Sequence, residues 1–149
     1  MNNRELAIEL FRKIKNEFPQ FKMDLLLVHK DVESMLDIPV QKGILIPINL
    51  NLQNNDELHL QIGNQFWLEW FPCDNPGKVD EFYNAVHGIL TGEYRILTFR
   101  RWGRTEKSHL QMRNGDQWET IGRYWRYFYT PFLPFGFEPV VLNISEFTT

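Results

Sequence analysis

The stretch from Glu93 to Tyr127, EYRILTFRRWGRTEKSHLQMRNGDQWETIGRYWRY, constrains the fold more than any other. It reads as three strands joined by two tight turns. Asn114-Gly115 is a strong hairpin signal, because both residues tolerate the positive φ of a type I′ turn, whose twist matches that of paired strands. Gly103, between Trp102 and Arg104, marks the other turn. Between the turns, Glu106, Ser108, Leu110 and Met112 alternate with Thr105, Lys107, His109 and Gln111. Side chains alternate across a strand, so Leu110 and Met112 should share one face and the polar set the other. In the third strand, Trp118, Thr120, Gly122 and Tyr124 alternate with Glu119, Ile121, Arg123 and Trp125. Both faces of that strand then carry aromatics. Either both are covered, or one offers aromatic surface to a partner.

The remaining chain supplies helices and further hairpins. Leu6, Leu10 and Ile14 recur every four residues behind a cap at Asn2 or Asn3, which predicts a helix near 3–17 that ends before Pro19. Met23 to His29 is a continuous apolar run, expected to form a buried strand. Lys30 to Asp37 is polar and acidic, expected to be a short helix or loop. Ile44 to Gln53 alternates with period two, and Pro47 places it at an edge or bulge. Asn54 to Glu57 is a turn, followed by a strand through Leu58, Leu60 and Ile62. Gly63-Asn64 then closes a hairpin into Phe66 to Phe71, with Glu69 on the face opposite Leu68 and Trp70. A second helix is predicted near 77–91, with Asp74 or Asn75 as cap, Pro76 as first residue and a stripe through Val79, Phe82, Tyr83, Val86, Ile89 and Leu90. Phe128 to Pro139 reads as a loop over the core and Val140 to Ile144 as a last strand. Strands arrive in hairpins and not in alternating βαβ units. The expectation is therefore one α+β domain, with a largely antiparallel sheet of about six or seven strands and two amphipathic helices packed on it. Its expected core includes Leu6, Leu10, Ile14, Leu26, Val28, Leu60, Leu68, Phe82, Val86, Ile89 and Leu110.

Several function classes find no support in the sequence. With 43% apolar and 23% charged residues, the composition fits a folded domain and not a disordered one. No apolar run approaches the roughly 20 residues needed to span a bilayer. The first residues, MNNRELAIELFRKIK, set acidic side chains inside the apolar pattern, unlike a secretory signal. A single cysteine, Cys73, excludes an intramolecular disulfide and a cysteine-rich zinc site. A cytoplasmic setting is the expectation. His29, His59, His87 and His109 form no HExxH or HxH spacing, and a structural or surface histidine is the plainer reading of each. Neither a P-loop nor GxGxxG nor GxSxG is present. Cys73 precedes a helix start, where the dipole favours a thiolate, but nothing local supplies its base. The expectation is a protein that is not an enzyme, with no cofactor and no metal.

Charge is more informative. The net value is −3, yet residues 1–93 carry −6 and residues 94–149 carry +3. Such a split suggests opposite fields on different parts of the surface. Asp31, Glu33 and Asp37, with Asp56 and Glu57 in a turn, are the acidic candidates for partner binding. Arg100, Arg101, Trp102 and Arg104 surround one hairpin turn, and Arg123, Tyr124, Trp125 and Arg126 follow along the third strand. Arginines and aromatics on a sheet can contact phosphates and stack bases, so the Arg100–Arg104 hairpin is the alternative surface, for single-stranded nucleic acid or a partner. The structural alternative is arginine stems lying over aromatic rings, with Glu106 and Glu119 as ion partners.

The progression Ile89-Leu90-Thr91-Gly92-Glu93-Tyr94-Arg95-Ile96, then a basic hairpin, then Asn114-Gly115-Asp116-Gln117-Trp118-Glu119-Thr120-Ile121, resembles small bacterial immunity proteins. These are the cytoplasmic antidotes of contact-dependent growth inhibition and other polymorphic toxin systems. The resemblance covers roughly residues 78 to 126. It implies a non-enzymatic protein that binds a cognate toxin domain, commonly a basic nuclease, and occludes its active surface. That family has no universal binding residues to carry across.

Overall fold

The computed structural model of the chain describes residues 1–27, 34–127, 132 and 135–144. Helix α1 spans Asn3–Glu17. Its start is a reciprocal cap: the Glu5 amide donates to the Asn2 side chain at 2.9 Å, and the Asn2 amide donates to the Glu5 carboxylate at 3.0 Å. Two otherwise orphaned amides are satisfied in this way. Helix α2 spans Pro76–Thr91, capped by the Asn75 side chain and closed by Gly92 in the left-handed region at φ 82°. Both helices lie where the apolar spacing places them. Neither is long and apolar enough to cross a membrane.

The strands form two antiparallel sheets. The first takes β1 (Asp24–Leu26), β2 (Ser34–Ile38), β3 (Ile48–Gln53), β4 (Glu57–Ile62) and β5 (Phe66–Trp70) in sequence order. The second has the order β8-β7-β6-β9, from β6 (Tyr94–Arg101), β7 (Arg104–Asn114), β8 (Gln117–Trp125) and β9 (Glu138–Val141). The α+β class and the antiparallel pairing are as expected. The strand count is not: nine described strands fall into two sheets, where six or seven in one were expected.

Period two divides the first sheet cleanly. Leu36, Leu50 and Leu60 lie side by side on the inner face, as do Ile38, Ile48, Ile62 and Phe66. Helices α1 and α2 cover that face with Phe11, Ile14, Phe82, Val86 and Ile89, all buried. Each such side chain contributes about 1.5–3 kcal/mol by leaving water. Glu69 faces away from Leu68 and Trp70, as the alternation requires. Three readings need correction. Residues 34–37 of the stretch 30–37, expected as helix or loop, belong to β2; Ser34 inside and Met35 outside hide the alternation. Leu26 is 42% exposed and not core, because Leu25 takes the inward position opposite Leu36. Leu6 and Leu68 are only partly buried. Val28 lies outside the described residues.

The sheets meet at the edges of β5 and β8. Ser108 Oγ donates to the Gln65 carbonyl at 2.6 Å. A Cβ at Gly122 would stand 2.5 Å from Leu68 Cδ1, so glycine here lets the Leu68 side chain lie directly on β8. At the other side, the Leu45 amide donates to the Ile144 carbonyl at 2.7 Å.

Candidate functional site

The outward face of the five-stranded sheet is mostly polar, with Leu26, Met35 and Trp67 as its apolar members. Cross-strand register builds it in rows: Asp24, Asp37, Asn49, Gln61 and Trp67, then Met35, Asn51, His59 and Glu69, then Gln53 and Glu57. The amides form a chain. Gln53 Nε2 donates to Asn51 Oδ1 at 2.9 Å, and Asn51 Nδ2 to Asn49 Oδ1 at 2.7 Å. Asn49 Nδ2 reaches Asp37 Oδ1 at 3.5 Å. Four carboxylates, Asp24, Asp37, Glu57 and Glu69, stand on this face, and among the described residues no lysine or arginine of these strands does.

His59 sits at its centre, 2% exposed. Trp67 Nε1 is 3.0 Å from His59 Nδ1, and Glu57 Oε2 is 3.0 Å from His59 Nε2, with Glu69 Oε2 at 3.5 Å. The indole N–H can only donate, so Nδ1 must accept and Nε2 carries the proton toward Glu57. Hydrogen bonds from Asn54, first, and from His59 hold the Glu57 carboxyl below its ordinary pKa. Glu57, His59 and Glu69 bring their ligand atoms within 4.8 Å of one another, as a metal set would. The Trp67 bond argues against that use. A metal on Nε2 with Nδ1 still accepting would require an imidazolate, whereas ligating histidines ordinarily donate from the second nitrogen. The cluster is a hydrogen-bonded brace.

The second sheet contrasts with the first. A bulge in β8 between the partners of Leu110 and Gln111 puts Trp118, Thr120, Arg123 and Trp125 opposite Arg113, Gln111, His109 and Lys107. With Arg95, Leu97 and Phe99 of β6 they make one outward face. Glu119 pairs with Met112 and Glu138 with Arg100, which turns both carboxylates to the other side. The outward face is therefore cationic and aromatic. Where the sheets join, a cleft of about 450 Å³ lies among Trp67, Leu68, Glu69, Arg123, Tyr124 and Trp125.

The sequence candidates distribute unevenly. Asp37 and Glu57 share the acidic face. Asp56 lies beside it in the β3–β4 turn, where its carbonyl accepts from the Cys73 amide. Asp31 and Glu33 lie outside the described residues. At the basic hairpin, Arg100, Trp102 and Arg104 are exposed. Arg101 is not part of that surface: it is 5% exposed and forms a paired ion bridge with Glu106, itself fully buried. Trp102 and Gly103 are the two turn residues, both at positive φ. The second turn holds Gly115 and Asp116, with positive φ at Gly115 alone, a type II′ pattern one residue later than Asn114-Gly115. Cys73 is buried and lines a small cavity together with Leu6, Ala7, Leu10, Leu58 and Val79. Asp24, His59, Trp67 and Glu69 were not singled out from the sequence; only the strand register brings them together.

Comparison with models of known families, with curated proteins and with solved structures finds no match in any of the three.

Proposed function

We propose that this chain is a non-enzymatic immunity protein that binds a basic toxin domain, in the first instance a nuclease, through the outward face of the five-stranded sheet. One observation carries the reading: four carboxylates and a chain of carboxamides stand there without a lysine or arginine among the described residues of these strands. A nuclease holds phosphates on a cationic surface. An acidic, hydrogen-bonding sheet face is drawn to such a surface and competes with the substrate for it. The brace around His59 fixes the central side chains before contact, which lowers the ordering cost of association. Trp67, 40% exposed at the end of the first row, is the aromatic anchor.

The test begins with the neighbouring reading frame, since antidotes are commonly encoded beside their toxins. Its product is purified with this chain, and association is followed by stopped-flow fluorescence at several salt concentrations. Asp24→Lys/Asp37→Lys/Glu69→Lys should slow association by at least about tenfold at low salt and restore nuclease activity. An unchanged association rate removes the acidic-face mechanism.

A further inference from the structure

The sheet opposite in charge has no role in that reading, and it carries a feature of its own. Arg95 and Arg113 flank one indole: their guanidinium carbons lie 4.3 Å and 5.1 Å from the Trp118 ring centroid. Arg95 Nε donates to Gln111 Oε1 at 2.8 Å. Gln111 is 7% exposed, and its Nε2 lies 3.2 Å from Thr120 Oγ1. The inner end of the Arg95 guanidinium is thus held in place by a buried amide. Its other N–H donors have no acceptor among the described residues, and neither arginine forms an ion pair there. Two like charges kept on one ring without a counter-ion cost free energy unless an anion joins them. Burial, and then the Arg113 charge, push the Arg95 pKa down.

Cations and rings continue from this clamp along the face. His109 and Arg123 form the next cross-strand pair, and Lys107 and Trp125 the one after, with Phe99 beside Lys107. Successive rows on a strand lie about 6.7 Å apart, so positive charge recurs along the strand direction at intervals of that order. Trp125 is 52% exposed. A phosphodiester chain with bases matches charges at this repeat and rings at this exposure, because every base presents a π-face and every linkage one anion. Duplex DNA would hide its bases from the rings. An acidic peptide would leave the rings without a planar partner.

We propose that Arg95, Trp118 and Arg113 form a phosphate clamp at one end of a track for single-stranded nucleic acid on the four-stranded sheet. The clamp is distinct from the Arg100–Arg104 hairpin, and its binding is independent of any toxin. The probe is a fluorescein-labelled single-stranded oligonucleotide of mixed sequence, titrated by anisotropy between about 50 and about 200 mM salt. Affinity should fall with salt at a log–log slope of about −0.7 for each phosphate contacted. Arg95→Gln/Arg113→Gln should weaken binding at least tenfold and reduce the slope by about 1.4, two contacts at that value. Arg113→Gln alone, at an exposed position, should reduce it by about 0.7 and serves if the double variant fails to fold. Arg100→Gln/Arg104→Gln should leave both quantities unchanged. No complex at low salt overturns the proposal. So does a loss that follows the hairpin pair and spares the clamp pair, or competition by polyglutamate as strong as by unlabelled oligonucleotide.

Discussion

Glu106→Gln tests whether the basic hairpin is held by a structural ion pair. Arg101 donates from Nε to Glu106 Oε2 at 2.9 Å and from Nη2 to Oε1 at 2.7 Å, while Nη1 reaches the Phe135 carbonyl at 3.0 Å. Glu106 is the extra residue where β7 bulges against Phe99 and Arg100, and the bulge turns its side chain inward. Glutamine keeps the shape and one acceptor but leaves a buried guanidinium without its charge partner. Breaking one side of a buried pair costs about 3–5 kcal/mol. For a chain of this length that corresponds to a melting temperature lower by about 6–20 °C. Urea unfolding followed by tryptophan fluorescence gives the free energy directly. Arg101→Met/Glu106→Leu should lose less than Glu106→Gln alone, because no charge is then left buried. A loss below about 1 kcal/mol for the single variant, or a double variant at least as unstable, would refute the reasoning.

Two further perturbations probe the helix faces. Phe82→Ala should cost about 3–5 kcal/mol in denaturant unfolding, since the ring is fully buried and stands edge-on to Trp70 at 5.5 Å; a loss under about 1 kcal/mol would mean that this face of α2 is not the one packed in the core. The Tyr83 hydroxyl donates to the Glu17 carboxylate, and that bond, followed by burial, pushes its pKa up to about 12. A raised folded pKa gives stability that is complete below the ordinary value of 10 and lost as pH climbs toward 12, and Glu17→Gln should lower the tyrosinate midpoint seen by ultraviolet titration.

Local signals placed the helices well because each had two independent markers. The 3.6-residue stripe set the inward face, and a cap at Asn2 or Asn3, or Asp74 or Asn75 before Pro76, set the start, which the structure resolves to Asn2 and Asn75. Turns at Asn54 and Gly63 were legible because Asn and Gly tolerate the positive φ found there, whereas at the third turn Gly103 shares that conformation with Trp102, which carries no such signal. The failures share a cause. Ser34 packs inward at 0% exposure and Met35 faces outward, so the polarity of β2 runs against its burial. Leu25 and Leu26 are indistinguishable as residue types, and only pairing with β2 decides which one enters the core. A strand shifted by one residue exchanges its two faces, and composition does not report the shift.

The same physics explains why the charge split was visible and its meaning was not. The excess of acid over base in residues 1–93 becomes one acidic face because leucine and isoleucine claim every inward position of β3 and β4, which leaves the alternate positions to Asn, Gln, Glu and His. On the second sheet, strict alternation would have placed Trp118 with Tyr124 on one side and Ile121 and Arg123 with Trp125 on the other, aromatics on both. The bulge at Ile121 removes that symmetry: Trp118 and Thr120 before it share a face with Arg123 and Trp125 after it, while Gly122 and Tyr124 turn toward the core. One inserted residue thus gathers Trp118, Arg123 and Trp125 beside Arg95, Arg113 and Lys107, and spares the inner face a second bulky ring where Leu68 needs the space at Gly122. The cationic face and the close contact between the sheets are consequences of the same bulge.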